Sequence, residues 1–308
     1  MKYKIKKEFF PFSYFTPPIN KNFLSVASFF MKTPNFLFKD KEIETSKYEI
    51  ESYDKEKIEC FLITPKQIKK IDSCLIYIHG GGFILKAAGY HYKNAVNYAK
   101  KVGCKVFFIN YRLAPKYPHP IFFEDCYFCM DWLYQNREML KINERKIAIG
   151  GDSAGSALAV GVCMMAKDRN HPIKFLFQML PYPFLDARNN SEACLKYTDT
   201  PMWNSRLSAK ISTMTKVDKN NDNYKYYSPV ESKEFDFFPP TYIETAEYDC
   251  LHDDGILFAR FLKESGVDVT LNETKGTMHG FDIVQKSTTT IEAVNSRIKY
   301  MNKMFNSK

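Results

Sequence analysis

Residues 146–155 read Lys146-Ile147-Ala148-Ile149-Gly150-Gly151-Asp152-Ser153-Ala154-Gly155. The apolar, β-prone first half predicts a strand. The small, apolar run from Ser156 to Lys167 predicts a helix. Between them, Gly151-x-Ser153-x-Gly155 puts a serine on a sharp strand-to-helix turn, the arrangement called a nucleophile elbow. Such a turn strains the serine backbone, so the positions two residues to either side must lack clashing side chains. The helix that follows aims its N-terminus at negative charge forming beside the serine.

A second signal lies upstream. His79-Gly80-Gly81-Gly82 directly follows the apolar run Cys74-Leu75-Ile76-Tyr77-Ile78. A glycine run after a strand lets the backbone present N–H groups to an anion. The chain has 13 glycines, and positions 80, 81, 82, 150, 151 and 155 hold six of them. Gly276 and Gly280 flank His279. Glycine gathers where backbone must approach a substrate, which ordinary turns do not explain.

Outward from these motifs, short apolar runs alternate with helical periods. Strands are predicted at 43–53, 57–63, 73–78, 105–110, 146–149, 173–180, 241–245 and 268–273, with Asp54-Lys55-Glu56 as a hairpin connection. Helices are predicted at 90–102, 122–136, 154–167, 252–264 and 289–305. This pattern predicts an α/β fold: a mostly parallel, eight-stranded sheet with helices on both faces. Sites in such sheets lie at the carboxyl ends of the strands, where both motifs fall. The sheet-forming domain is predicted to comprise residues 43–188 and 224–308. The polar stretch 189–223, which holds Trp203, is too long for a structureless loop, so it reads as a helical insertion over the sheet's carboxyl edge. Residues 1–42, rich in Phe, Pro and Lys, are expected to pack with it as a cap, with 22–31 as their best helix.

The 308 residues carry a net charge of +9, with 45% apolar and 16% aromatic residues, enough for a large core. The basic residues form no recognisable nucleic-acid module, so the excess reads as a solvated surface. No apolar run approaches the ~18 residues of a membrane span. Pro11, Pro17, Pro18 and Asn20 interrupt any signal-peptide core, which points to the cytoplasm. The basic start, Met1 to Lys7, suggests at most a contact with an anionic membrane surface. The eight cysteines are scattered. Cys126 and Cys129 have metal or redox spacing but no second pair, so they read as core thiols.

A serine hydroxyl needs a base, and the base needs an orienting acid. In an α/β sheet with an elbow these follow in the order serine, acid, histidine. Downstream of Ser153, His252 and His279 qualify, His171 falling at the wrong edge of the sheet. His279 lies in a glycine-flanked loop after a strand, whereas His252 begins a helix. Glu247, Asp249, Asp253 and Asp254 compete for the acid. Asp249 comes just past its strand, and Asp253 ranks second; Asp253 and Asp254 fall in a helix's first turn, where acids are common for dipole reasons.

Taken together, the motifs resemble the hormone-sensitive lipase family of α/β-hydrolases, which includes many microbial carboxylesterases. The matching pieces are His79-Gly80-Gly81-Gly82-Phe83, Tyr111-Arg112-Leu113-Ala114-Pro115 and Gly151-Asp152-Ser153-Ala154-Gly155, followed by Tyr182-Pro183, Ser228-Pro229, Ala246-Glu247-Tyr248-Asp249 and His279-Gly280-Phe281. The resemblance implies Ser153 as nucleophile, Asp249 as acid and His279 as base. It implies an oxyanion hole of the Gly80, Gly81 and Ala154 N–H groups, a helical cap, and homodimers through the last strand and helix. Asn110, Lys116, Ser156, Cys250 and His252 depart from the family's usual residues, without removing any of these groups.

The expected activity is hydrolysis of short- to medium-chain carboxylic esters through an acyl-enzyme, with no metal or organic cofactor. Its rate should fall at acid pH as the base is protonated. An amidase or N-deacetylase with the same residues, a sensor on a hydrolase scaffold, and a lipid-binding N-terminal module are the alternatives.

Overall fold

The computed structural model describes residues 2–20, 40–67 and 71–307, so the helix expected at 22–31 lies outside the described residues. Strands β1 (Ile43–Glu51) and β2 (Lys57–Pro65) form the expected antiparallel hairpin. The alternation then begins with β3 (Cys74–Ile78), α1 (Gly89–Val102), β4 (Lys105–Asn110) and α2 (Ile121–Gln135). It continues through β5 (Ile147–Gly151), α3 (Ala154–Asp168) and β6 (Gln178–Pro181). Three short helices follow: α4 (Glu192–Lys196), α5 (Ser205–Thr215) and α6 (Tyr224–Tyr227). The chain closes with β7 (Thr241–Tyr248), α7 (His252–Glu264), β8 (Val269–Met278) and α8 (Thr288–Asn306).

The eight strands form one sheet in the order β1-β2-β4-β3-β5-β6-β7-β8. β2 pairs antiparallel with β1 and β4, and every later neighbour is parallel. The central strands are apolar on both faces because helices cover both. Along β3, Cys74, Ile76 and Ile78 enter the core under α2, α3 and α7, while Leu75 and Tyr77 enter the core under α1 and α8.

Three expected strands differ by three residues or more at one end. The strand expected at 173–180 is regular only over Gln178–Pro181. Before it, Leu176 N–H donates to Ile147 O and Phe177 O accepts from Ile149, so the chain touches β5 before a regular ladder forms. An aromatic run reads as strand by composition, but periodicity does not say where pairing begins. At the other end of the sheet, β7 and β8 run on to Tyr248 and Met278, past the expected ends at 245 and 273. In β8, Thr274-Lys275-Gly276 has the composition of a turn, yet Gly276, at φ 70°, keeps the strand going. Its N–H donates to Glu247 Oε2 at 2.7 Å. The chain therefore arrives at Asp249 and His279 directly from paired strands.

One buried cation joins the last elements. Arg297 of α8 is 1% exposed. Its guanidinium donates to both oxygens of Asp282, at 2.5 and 3.1 Å, and to both oxygens of Glu244 on β7. Asp282 lies just past β8, so Arg297 ties α8, β7 and the loop after His279 together. Without the arginine, two buried carboxylates would face each other uncompensated. Arg297→Met is expected to cost about 3–5 kcal/mol in urea unfolding, the usual consequence of breaking a buried ion pair. A loss below about 1 kcal/mol would show the cluster to be no stronger than a surface pair.

Candidate active site

Ser153 stands between β5 and α3 with φ 56° and ψ −122°. A non-glycine residue holds such angles only where its surroundings impose them. The surroundings here are backbone. A Cβ at Gly151 would lie 2.2 Å from Ile78 O, and one at Gly155 would lie 2.1 Å from the same atom. Glycine at both positions lets the elbow sit against the end of β3.

The structure brings Ser153, His279 and Asp249 together. Ser153 Oγ lies 2.7 Å from His279 Nε2. His279 Nδ1 lies 2.7 Å from Asp249 Oδ2. A carboxylate only accepts, so Nδ1 carries the proton and Nε2 is free to accept from the serine. Asp249 Oδ1 also accepts from Leu251 N–H at 2.9 Å, which fixes the carboxylate as β7 gives way to α7. Asp249 is wholly buried, while Ser153 and His279 retain 7% and 6% exposure. The rings of Tyr182 and Trp203 pack against the imidazole, with centroids 5.1 and 5.8 Å away.

The other candidates are engaged elsewhere. Asp253 accepts from Ala193 N–H at the start of α4 and contacts His252. His252 also meets Glu273. Glu247 accepts from Gly276. Asp254 accepts from Leu185 and Asp186 N–H groups; burial pushes its carboxyl well above the usual range despite those donors. His171 pairs with Asp131 on α2.

The glycine-rich loop lies against the elbow. A Cβ at Gly80 would come within 3.2 Å of Ser153 Cβ and 2.6 Å of Asp152 Oδ2. Gly81, at φ 121°, turns the chain so that its carbonyl accepts from Ile84 and Leu85. Among the described residues, no protein acceptor takes the N–H groups of Gly80 and Gly81. Ala154 opens α3, where an N–H has no intrahelical acceptor. His79 is stacked on Tyr111 at 4.5 Å, and its Nδ1 lies 2.7 Å from Gly80 O. Burial, then the neighbouring His91, lower the His79 imidazole to about 3, so it stays neutral.

Two supports of Asp152 escape a reading by sequence alone. Tyr77 OH donates to its Oδ1 at 2.7 Å, and His91 Nε2 lies 3.0 Å from its Oδ2. His91 Nδ1 accepts from Ala88 N–H, so Nε2 is the donor. Burial raises the Asp152 carboxyl, but His91 and Tyr77 more than reverse this and hold it at about 2. The available signal was Tyr77, a hydroxyl in an otherwise apolar strand. The departures from the family's motifs are accommodated. Ser156 donates to Gly151 O, Asn110 to Glu59, Cys250 is buried 3.8 Å from Ser208 Oγ, and the Lys116 ammonium lies 4.8 Å from the Tyr117 ring centre. Cys126 and Cys129 are buried thiols on α2. Among the described residues, no three His, Cys, Asp or Glu side chains form a metal-holding group.

The cavity beside Ser153 is small, at about 10 Å³, between Phe83, Phe184, Ile211, Tyr227 and Trp203. A larger cleft of about 790 Å³ runs past Leu85, Tyr111, Arg112 and Leu113, and Ser153 and His279 do not line it. Among the described residues, no helix is long and apolar enough to cross a membrane.

A family model described as the alpha/beta hydrolase fold matches residues 75–283, and the chain belongs to that family, in its hormone-sensitive-lipase type. The chain is 29% identical over 209 residues to esterase LipI of Mycobacterium tuberculosis, covering 67% of this chain and 65% of that protein. The match therefore spans just under two thirds of LipI. The chain is 28% identical over 280 residues to arylacetamide deacetylase of Bos taurus, covering 71% and 70% of the two chains. Among solved structures, a bacterial heroin esterase superposes with a TM-score of 0.82 at 26% identity, over 93% of this chain and 90% of that one.

The buried polar groups set a dependence of stability on pH. Asp152 has a carboxyl lowered from 3.8 to about 2 on folding, so the unfolded chain binds more protons in that interval. Its stabilisation is full above the unfolded value and is lost as pH falls through about 2. His79, lowered from 6.5 to about 3, adds loss of stability as pH falls below 6.5. Asp152→Asn should flatten the stability profile between about pH 4 and 2, removing on the order of 2 kcal/mol of its span. Chemical denaturation at stepped pH measures this. An unaltered acid slope would show that Asp152 does not carry it.

Proposed function

We propose that the protein is a serine carboxylesterase that hydrolyses short- to medium-chain carboxylic esters through an acyl-enzyme. The observation that carries this reading is the hydrogen-bonded chain from Ser153 through His279 to Asp249, with 2.7 Å at both contacts, beside amides that lack protein acceptors. The names esterase LipI and heroin esterase support the choice of bond.

In this mechanism the ester carbonyl lies beside Ser153. His279 Nε2 takes the hydroxyl proton as Oγ attacks, and Asp249 steadies the imidazolium that results. The carbonyl oxygen, now negative, faces the N–H groups of Gly80, Gly81 and Ala154. His279 then gives its proton to the departing alcohol, leaving the acyl group on Ser153. Water repeats the steps and releases the acid. His79, Gly82, Asp152, Gly151 and Gly155 hold this frame in place.

Residues 189–223 and the N-terminal segment 1–42 form the cap in this reading. Support comes from Phe15 O, which accepts from Met202 N–H at 2.6 Å, and from Lys2 Nζ, 2.8 Å from Asp199. The remaining residues, 43–188 and 224–308, form the catalytic domain. Free, buried cysteines support a cytoplasmic setting. The edge strand β8 and helix α8 are the face through which a homodimer would form, by analogy with the family.

An amidase or N-deacetylase is the second reading, favoured by the resemblance to a protein named arylacetamide deacetylase. Paired acetate esters and acetanilides of the same aromatic group separate the two, and the ester should be cleaved faster. Ser153→Ala should lower kcat by roughly 10³–10⁶, because serine, base and acid act as a unit. Hydrolysis that survives in this variant would refute the mechanism. A wild type inert towards both substrate classes would favour a sensor.

A further inference from the structure

Trp203 sits on the turn between α4 and α5, with 9% of its surface exposed. Its indole N–H donates to Ser208 Oγ at 2.9 Å, and its carbonyl accepts from Thr200 Oγ1 at 2.7 Å. The bond from Met202 N–H to Phe15 O holds the same turn from the N-terminal side. The indole is therefore locked against Gly82, where a Cβ would come within 2.5 Å of it. It closes the cavity beside Ser153 to about 10 Å³. That is about the space of one water-sized sphere, enough for a methyl group.

The cavity's place identifies what enters it. A leaving alcohol must take its proton from His279 Nε2, so it departs on the imidazole side. Ser153 and Ala154 line the cavity and His279 does not, which puts it on the acyl side of the carbonyl. We propose that Trp203 sets the length of the acyl chain, so that the preferred substrates are acetyl and propionyl esters. This rests on the esterase reading above and narrows its substrate class.

The test uses the full chain and p-nitrophenyl esters from acetyl to octanoyl, with Trp203→Phe, Trp203→Leu, Trp203→Ala and Ile211→Ala. The wild type should peak at acetyl or propionyl. The ratio of kcat/KM for hexanoate to that for acetate should rise in the order Phe, Leu, Ala. The expected gain is roughly 10–200-fold for each methylene newly accommodated. Ile211→Ala widens the same cavity and leaves the Trp203–His279 contact intact. It should shift the ratio in the same direction, and it decides the matter if Trp203→Ala does not fold or is inactive. A parallel set of acetates with alcohols of increasing length should show no such shift. An unchanged acyl ratio in variants that still cleave acetate, a wild type that peaks at hexanoate or longer, or a shift in the alcohol series instead, overturns the proposal. Ser153→Ala, run alongside, tests the esterase reading separately, since its failure appears as persistent hydrolysis rather than as an unchanged ratio.

Discussion

The contact on which the site depends is between backbones: the elbow at 151–155 lies against the last residues of β3. Side chains at Gly151 or Gly155 would fall within 2.2 Å of Ile78 O, closer than any packing adjustment allows. Because the two segments touch, the loop that leaves β3 emerges beside Ser153. Gly80 can then stand 3.2 Å (from its would-be Cβ) from the serine side chain. Adjacency of β3 and β5 in the parallel sheet makes this contact, and glycine permits it. The serine backbone pays in strain, and burial of α3 in the main core holds it there.

Charge is then arranged around that contact. Four acids near the carboxyl ends of the strands are almost or wholly buried, and each has a different partner. Asp249 faces His279, Asp152 faces Tyr77 and His91, Asp282 faces Arg297, and Asp254 has only backbone donors. The partner decides the charge. Asp152, with two side-chain donors, is held low; Asp254, with two amides against full burial, is pushed up and favours its neutral form. Asp152 also lies under Gly80, so the carboxylate that is held ionised is the one that backs the glycine loop. Arg297 reaches the other side of the site through Asp282, three residues after His279, and its guanidinium lies about 6 Å from the Phe281 and Tyr182 rings.

Much of this was legible in the chain because backbone constraints leave glycine behind. Gly80–Gly82, Gly151 and Gly155 marked two places where strands end and backbone crowds together, and the fold puts those places side by side. The three polar residues were legible for a related reason: chain order and strand ends limited the choice. Asp253 and Asp254 could be set aside because a helix's first turn attracts acids whatever its role. What resisted reading was partnership across the sheet. Nothing local in Tyr77 or His91 announces that both reach Asp152, because they are 14 residues apart and meet only through the packing of α1 on β3. The end of β8 resisted for another reason: Thr274-Lys275-Gly276 has turn composition, and the chain bulges there before pairing with β7 resumes at Met278. For the start of β6, an apolar run satisfied the strand pattern before any ladder existed.

The walls of the cavity beside Ser153 carry the last step. Phe83, Phe184, Trp203, Ile211, Tyr227 and Leu251 all belong to the main hydrophobic core under α2, α3 and α7. The core does not stop short of the site, so the side chains that leave so little space at the serine also hold the helices of segment 189–223 to the sheet. Phe83 alone meets the rings of Phe122, Phe123, Phe184 and Tyr227. On the proposed acyl reading, selectivity and stability draw on the same contacts. A change that enlarges the space at the serine leaves a cavity in the core, and its cost grows with the volume that the neighbours fail to refill. Loops that merely overhang a site can vary without touching the fold. In this chain the space at the serine cannot be widened without loosening the attachment of the segment above it.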